Sequence, residues 1–231
     1  MKTIGLIGGM SWESSLEYYR IINETTKEQL GGMHSAKLVM YSVEFAEIVR
    51  LQHEGNWDEL TAIMVDAGLR LKKAGADFIV IGTNTMHKMA AEVEKATALP
   101  LLHIADATAN RIIEKRLKTV ALLGTKFTME QDFYKGRLAQ QHGLNVITPS
   151  AKDREIVHGI IYNELCQGTI LESSKSEYLR IIAGLIAQGA EGIILGCTEI
   201  PLLVKQANVA VPIFDTTAIH AQEAVRLALA K

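Results

Sequence analysis

Four short segments of this 231-residue chain place a glycine ahead of small hydroxyl, amide or thiol side chains. They are Gly8-Gly9-Met10-Ser11, Gly82-Thr83-Asn84-Thr85, Gly124-Thr125-Lys126-Phe127-Thr128 and Gly196-Cys197-Thr198-Glu199. Glycine lets a ligand approach the backbone closely. The N–H groups of a helix start attract anions, carboxylates included. Ser14-Ser15-Leu16-Glu17 and Thr128-Met129-Glu130-Gln131 also read as capping boxes. Cys197 is the one thiol in these segments. At a helix N-terminus its pKa is expected to fall below the ordinary ~8.5, which suits it to take a proton from carbon. The Thr83 hydroxyl is far less acidic.

The elements that must position these loops follow from hydrophobic patterning. Short aliphatic runs alternate with longer helical periodicity, the pattern of a parallel α/β sheet. Strands are expected at 3–7, 37–42, 78–81, 101–104, 119–123, 145–148, 192–195 and 212–214. Helices are expected at 14–30, 57–74, 86–95, 105–115, 129–142, 152–167, 176–188 and 217–229. In such sheets ligands bind at the carboxyl ends of the strands, where all four glycine segments fall.

The chain also repeats itself. Ala74-Gly75-Ala76-Asp77-Phe78-Ile79-Val80-Ile81-Gly82-Thr83 aligns with Gln188-Gly189-Ala190-Glu191-Gly192-Ile193-Ile194-Leu195-Gly196-Cys197, and Ile4-Gly5-Leu6-Ile7-Gly8 with Val120-Ala121-Leu122-Leu123-Gly124. Pro100 and Pro212 each open a short strand in the same order. The offset is roughly 115 residues each time, the size of a small α/β domain. The expectation is two similar domains related by pseudo-two-fold symmetry, each a parallel sheet flanked by helices. The first spans 1–116 and the second 117–216, with a last helix over 217–231 crossing back to the first. Thr83 and Cys197 occupy equivalent positions. If the halves face each other, the two flank a ligand from opposite sides, the geometry of a two-base stereochemical inversion.

Composition narrows the class. The chain is 48% hydrophobic and 22% charged, with a net charge of -2 and a pI near 6.4. That balance gives no electrostatic footprint for nucleic acid or an anionic membrane. No run approaches the ~18 apolar residues of a membrane span. Two cysteines cannot form a disulfide framework in a chain this long, so a reducing cytoplasm is expected. The seven histidines lack metal-ligand spacing, and no metal site is expected. Gly5-Leu6-Ile7-Gly8-Gly9 lacks the spacing of a dinucleotide loop.

Taken together, Gly8-Gly9-Met10-Ser11-Trp12-Glu13-Ser14, Gly82-Thr83-Asn84-Thr85-Met86-His87-Lys88, His103-Ile104-Ala105-Asp106, Leu123-Gly124-Thr125 and Gly196-Cys197-Thr198-Glu199 resemble the aspartate/glutamate racemase family over essentially the whole chain. The resemblance implies a two-domain α/β enzyme that racemises acidic amino acids without pyridoxal phosphate, metal or other cofactor, and that forms a homodimer. It implies one catalytic cysteine in each half, with the second, Cys197, serving the L enantiomer. This chain departs from the pattern at the first: Thr83 stands where the family has cysteine. Asn84, Thr85 and Thr198 match substrate-binding positions of the family.

The substitution makes the two faces unequal. Cys197 is the expected base for L substrates, and Thr83 a weak acid or base on the opposite face. Enantiomers in water have equal free energy, so kcat/KM must match in the two directions. The expectation is α-proton exchange favouring the L side, with net inversion slow both ways. A single-thiol decarboxylase or isomerase of the same superfamily, or a decayed protein that binds a small acid, is the alternative.

Other residues fill out the expected substrate site. Arg50 follows the second strand and can pair bidentately with a carboxylate, and Gln52 can hydrogen-bond the same group. Met10, Ser11, Thr125 and Thr128 offer backbone N–H and hydroxyl groups at helix starts. Glu199 can hold the substrate ammonium or orient Cys197. Cys166, among apolar neighbours, reads as a core thiol, and His87 as a helix-surface histidine with a contact to Thr83 as the rarer case.

Overall fold

The computed structural model describes residues 1–230; the last residue of the helix expected over 217–231 lies outside the described residues. The first half runs β1 (Ile4–Gly8), α1 (Trp12–Leu30), β2 (Leu38–Ser42), α2 (Phe45–Glu54), α3 (Trp57–Lys73) and β3 (Phe78–Ile81). A 3-10 turn (Thr85–Met89), α4 (Ala90–Thr97), β4 (Leu101–Leu102) and α5 (Ile104–Glu114) follow. The second half runs β5 (Thr119–Gly124), α6 (Lys126–Glu130), α7 (Asp132–His142), β6 (Asn145–Ile147) and α8 (Ala151–Asn163). After a 3-10 turn at Leu165–Gln167 come α9 (Glu172–Ala187), β7 (Gly192–Gly196), α10 (Ile200–Leu203), β8 (Ile213–Asp215) and α11 (Thr216–Leu229).

The strands form two four-stranded parallel sheets, ordered β2-β1-β3-β4 and β6-β5-β7-β8. The second order is the first with every strand replaced by its repeat. The duplication read from sequence is therefore present in topology. In the first sheet, alternate residues serve opposite faces. Ile7, Ile79 and Ile81 pack with Ile48, Leu51, Leu60 and Met64 of α2 and α3. Ile4, Leu6, Phe78 and Val80 pack with Tyr18 and Ile22 of α1 and with Ala221, Ala224 and Val225 of α11. In the second sheet, Ala121, Leu123, Ile193 and Leu195 pack against Val157 and Ile161 of α8 and Tyr178 and Ile182 of α9. Each fully buried aliphatic side chain of this kind contributes about 1.5–3 kcal/mol.

The compact units are Met1–Ile104 joined by the chain from His220 onward, and Ala105–Ile219. The sequence placed the first boundary at 116, twelve residues later than roughly the observed one. The physical reason is α5. Its Asp106 accepts two hydrogen bonds from Arg137 of α7, each 2.7 Å, and lies 2.9 Å from His142 Nε2, which ties α5 to the second unit. The helix of residues 45–54 was not expected, and the single helix expected at 152–167 ends at Asn163 and gives way to a 3-10 turn containing Cys166.

Candidate active site

In the first unit the loop after β1 is shaped by glycine and serine. Gly9 has φ +89, and a Cβ there would lie 2.3 Å from the Val43 carbonyl oxygen, so no other residue fits. Gly9 N–H donates to Ser15 Oγ at 2.7 Å, and Ser15 Oγ donates back to the Ser11 carbonyl at 3.0 Å. The N-cap of α1 is Ser11, which accepts from Ser14 N–H. The helix therefore starts one turn before the capping box expected at Ser14–Glu17, because Trp12 and Glu13 already belong to it. Met10 and Ser11 are both buried.

Thr83 follows Gly82, directly after β3, and is half-buried. Asn84 and Thr85 beside it are buried at the start of the 3-10 turn. Gln52 is buried and donates to Met86 Sδ at 3.3 Å, which places it against this turn. Arg50 differs from its expectation. It points outward from α2 and pairs with Glu54 at 2.8 Å, with 56% of its side chain exposed. The i,i+4 spacing on a solvated face accounts for that pairing. His87 is buried, because chain far away in sequence covers it. Its ring stacks near His103 and His220, with centroids 4.7 and 5.5 Å away.

In the second unit Cys197 follows Gly196, the last residue of β7, and like Thr83 is half-buried. Gly196 and Gly124 approach so closely that a Cβ on Gly124 would lie 2.8 Å from the Gly196 carbonyl oxygen. The Cys197 thiol donates to Glu199 Oε2 at 3.0 Å, and the Thr198 hydroxyl donates to the same oxygen at 2.6 Å. Glu199 itself is buried.

The pKa of Cys197 runs opposite to expectation: burial pushes the thiol well up, and the Glu199 carboxylate pushes it further. Two structural facts explain the reversal. The helix after Cys197 is a single turn, Ile200–Leu203, too short to supply an appreciable dipole, and a carboxylate rather than a cation is its neighbour. The same surroundings raise the Tyr162 phenol, through burial and then the charges of Cys197, Cys166 and Glu199.

Thr125 caps α6, accepting from Thr128 N–H at 3.3 Å, so this helix starts one turn before the capping box expected at Thr128–Gln131. Thr128 is fully buried, with its hydroxyl 3.1 Å from that of Thr125. One residue went unnoticed in sequence: His158 of α8 accepts from Lys126 N–H through Nδ1 at 3.2 Å. No spacing rule links positions so far apart. Among the described residues no cluster of three or more His, Cys, Asp or Glu is arranged to hold a metal, and no helix is long and apolar enough to cross a membrane.

Two parallel α/β units share one topology, and each carries a glycine-led loop after its third strand, with the Thr83 hydroxyl in the first and the Cys197 thiol in the second. The profile of the Asp/Glu/hydantoin racemase family matches residues 7–224, and the chain belongs to that family. Similar solved structures include one from Yersinia pestis, described provisionally as an Asp/Glu racemase, at 56% identity, TM-score 0.94 and 100% coverage of both chains. An aspartate racemase homologue from Pyrococcus horikoshii is 37% identical, with TM-score 0.85 and 99% coverage of each chain. The broad specificity amino-acid racemase RacX of Bacillus subtilis is 26% identical over 75% of this chain and 74% of its own length.

Proposed function

We propose that this protein is a cofactor-independent racemase of acidic amino acids in which Cys197 is the base for L-aspartate or L-glutamate and Thr83 the weak acid or base on the opposite face. The observation that carries this reading is the bond from the Cys197 thiol to the buried Glu199 carboxylate. A thiol with a raised pKa is a poor source of thiolate by itself. A carboxylate in contact can accept its proton and leave a strongly basic sulfur beside the substrate α-carbon. Glu199 thereby orients and activates Cys197, and its second bond, from Thr198, fixes the carboxylate for that task.

Thr83 completes the reaction differently. Its place after Gly82 matches that of Cys197 after Gly196 in the repeat. A neutral hydroxyl can deliver a proton to a carbanion and is a weak base for the reverse step. The carboxylates of the substrate are expected at the backbone N–H groups and hydroxyls of Met10, Ser11, Asn84, Thr85, Thr125 and Thr198.

The test is α-proton exchange of L-aspartate in D₂O, followed by proton NMR, for the wild-type protein and for Cys197→Ala. Exchange by the wild type that vanishes in Cys197→Ala is the expected result. Undiminished exchange in the variant would remove Cys197 from the chemistry.

A further inference from the structure

The chain passes between its two units twice, leaving the first after Ile104 and returning at His220. Within the first unit, both crossing points are bonded through buried histidines. Ile104 N–H donates to His87 Nε2 at 3.2 Å. His220, the residue of return, lies 2.9 Å from the Leu102 carbonyl through Nε2 and 2.8 Å from the Tyr18 hydroxyl through Nδ1. The second bond of His87 reaches the catalytic loop: Nδ1 sits 2.7 Å from the Thr83 carbonyl.

The partners decide the tautomers. A carbonyl oxygen only accepts, so His87 carries its hydrogen on Nδ1 and offers a lone pair on Nε2 to Ile104 N–H. His220 likewise donates from Nε2 and accepts the Tyr18 O–H on Nδ1. His87, His103 and His220 are all buried. Burial, with the neighbouring rings of His103 and His220, holds the His87 pKa well below its ordinary value against the pull of the Thr83 and Leu102 carbonyls, so the ring stays neutral.

We propose that His87 is a positioning residue for Thr83: its ring ties the Thr83 carbonyl to the backbone amide at which the chain leaves the first unit. The orientation of the Thr83 hydroxyl is then set by the bonds that hold the crossing. This rests on the role proposed above for Thr83. A rigid imidazole holds both bonds at once, whereas an open-chain amide replaces only one. Asparagine can match the Nδ1 donor, and glutamine can set an acceptor at the Nε2 position. A loop released by one such bond misplaces its reacting group by up to an ångström, enough for a loss of ten- to a hundredfold, of order, in rate.

The test compares His87→Asn, His87→Gln and Thr83→Ala with the wild type. It measures L-aspartate KM, α-proton exchange, net inversion, and deuterium uptake at the Ile104 amide by mass spectrometry. In His87→Gln, which loses the bond to Thr83, inversion is expected to fall about tenfold or more while L-side exchange and KM stay within about twofold. In His87→Asn inversion is retained better, and the Ile104 amide takes up deuterium faster than in the wild type. Inversion and exchange falling in step in both variants, together with KM, would mean a merely structural histidine and overturn the proposal. Unchanged inversion in both would overturn it too. If Thr83→Ala leaves inversion intact, the role of Thr83 fails. The brace is still judged by Ile104, whose unchanged protection in His87→Asn would refute it.

Discussion

The Cys197 thiol and the Thr198 hydroxyl converge on one oxygen, Glu199 Oε2, at 3.0 and 2.6 Å. In the proposed mechanism the base is therefore a thiol–carboxylate pair rather than a thiolate held by a helix dipole. Replacement of Glu199 by Gln keeps an acceptor for the thiol and removes the group that takes its proton. L-substrate exchange in Glu199→Gln is expected to fall on the order of a hundredfold. Because Glu199 raises the Cys197 pKa, the pH at which Cys197 becomes reactive to iodoacetamide should move down in the variant, read by mass spectrometry at Cys197. Exchange at wild-type rate would show that the carboxylate is a bystander.

Thr83 is the residue by which the two halves differ chemically. Thr83→Cys restores a thiol there, and exchange of D-aspartate is expected to rise by about a hundredfold or more. Thr83→Ala should remove net inversion and leave L-side exchange within a few-fold of wild type. Polarimetry and NMR on the same samples separate the two. A Thr83→Cys protein still inert toward D substrates would mean that position 83 does not reach the α-carbon.

Arg50 was the expected cation for the substrate side chain, and it stands exposed on α2 beside Glu54. Exposed i,i+4 pairs contribute about 0.3–0.5 kcal/mol, so Arg50→Ala should cost no more than that in stability. With its guanidinium engaged by Glu54 on the solvated face, KM for L-aspartate is expected to stay within about threefold of wild type, a binding change of less than about 1 kcal/mol. A tenfold rise in KM would restore Arg50 to the binding site.

His220 links acid stability to the same buried cluster. Burial lowers its pKa from 6.5 to about 4, partly offset by its bond to the Leu102 carbonyl and by the charge of Glu223. A histidine whose folded pKa is depressed binds its proton more readily in the unfolded chain. Its contribution is therefore present above pH 6.5 and is lost as pH falls toward 4, by an amount of about 3 kcal/mol. Urea unfolding between pH 7 and 4 should show the loss, and His220→Gln should flatten the profile over that window. An unchanged slope in the variant would assign the acid sensitivity elsewhere.

The fold was largely legible because parallel strands buried on both faces read as aliphatic runs, and because the repeat marked by Gly82-Thr83 and Gly196-Cys197 survives in sequence. Helix α2 escaped notice: it is capped by Glu44, outside the favoured Ser, Thr, Asp and Asn set. The positions of Thr83 and Cys197 followed from the repeat, but the state of the thiol did not. That depends on a one-turn helix and on Glu199 folding back onto its neighbours. His87 looked like a surface residue because what buries it, His103 and His220, comes from distant segments that local periodicity does not bring together.

The most direct test is the ratio of α-proton exchange to inversion for L- and D-aspartate, and for L- and D-glutamate, in D₂O with wild-type protein. With Cys197 as the competent base and Thr83 the weak partner, L substrates lose their α-proton far faster than they invert. D substrates exchange only at the slow rate of inversion. Equally fast exchange of both enantiomers, with inversion keeping pace, would contradict the account, since the hydroxyl at position 83 would then serve as well as a thiol.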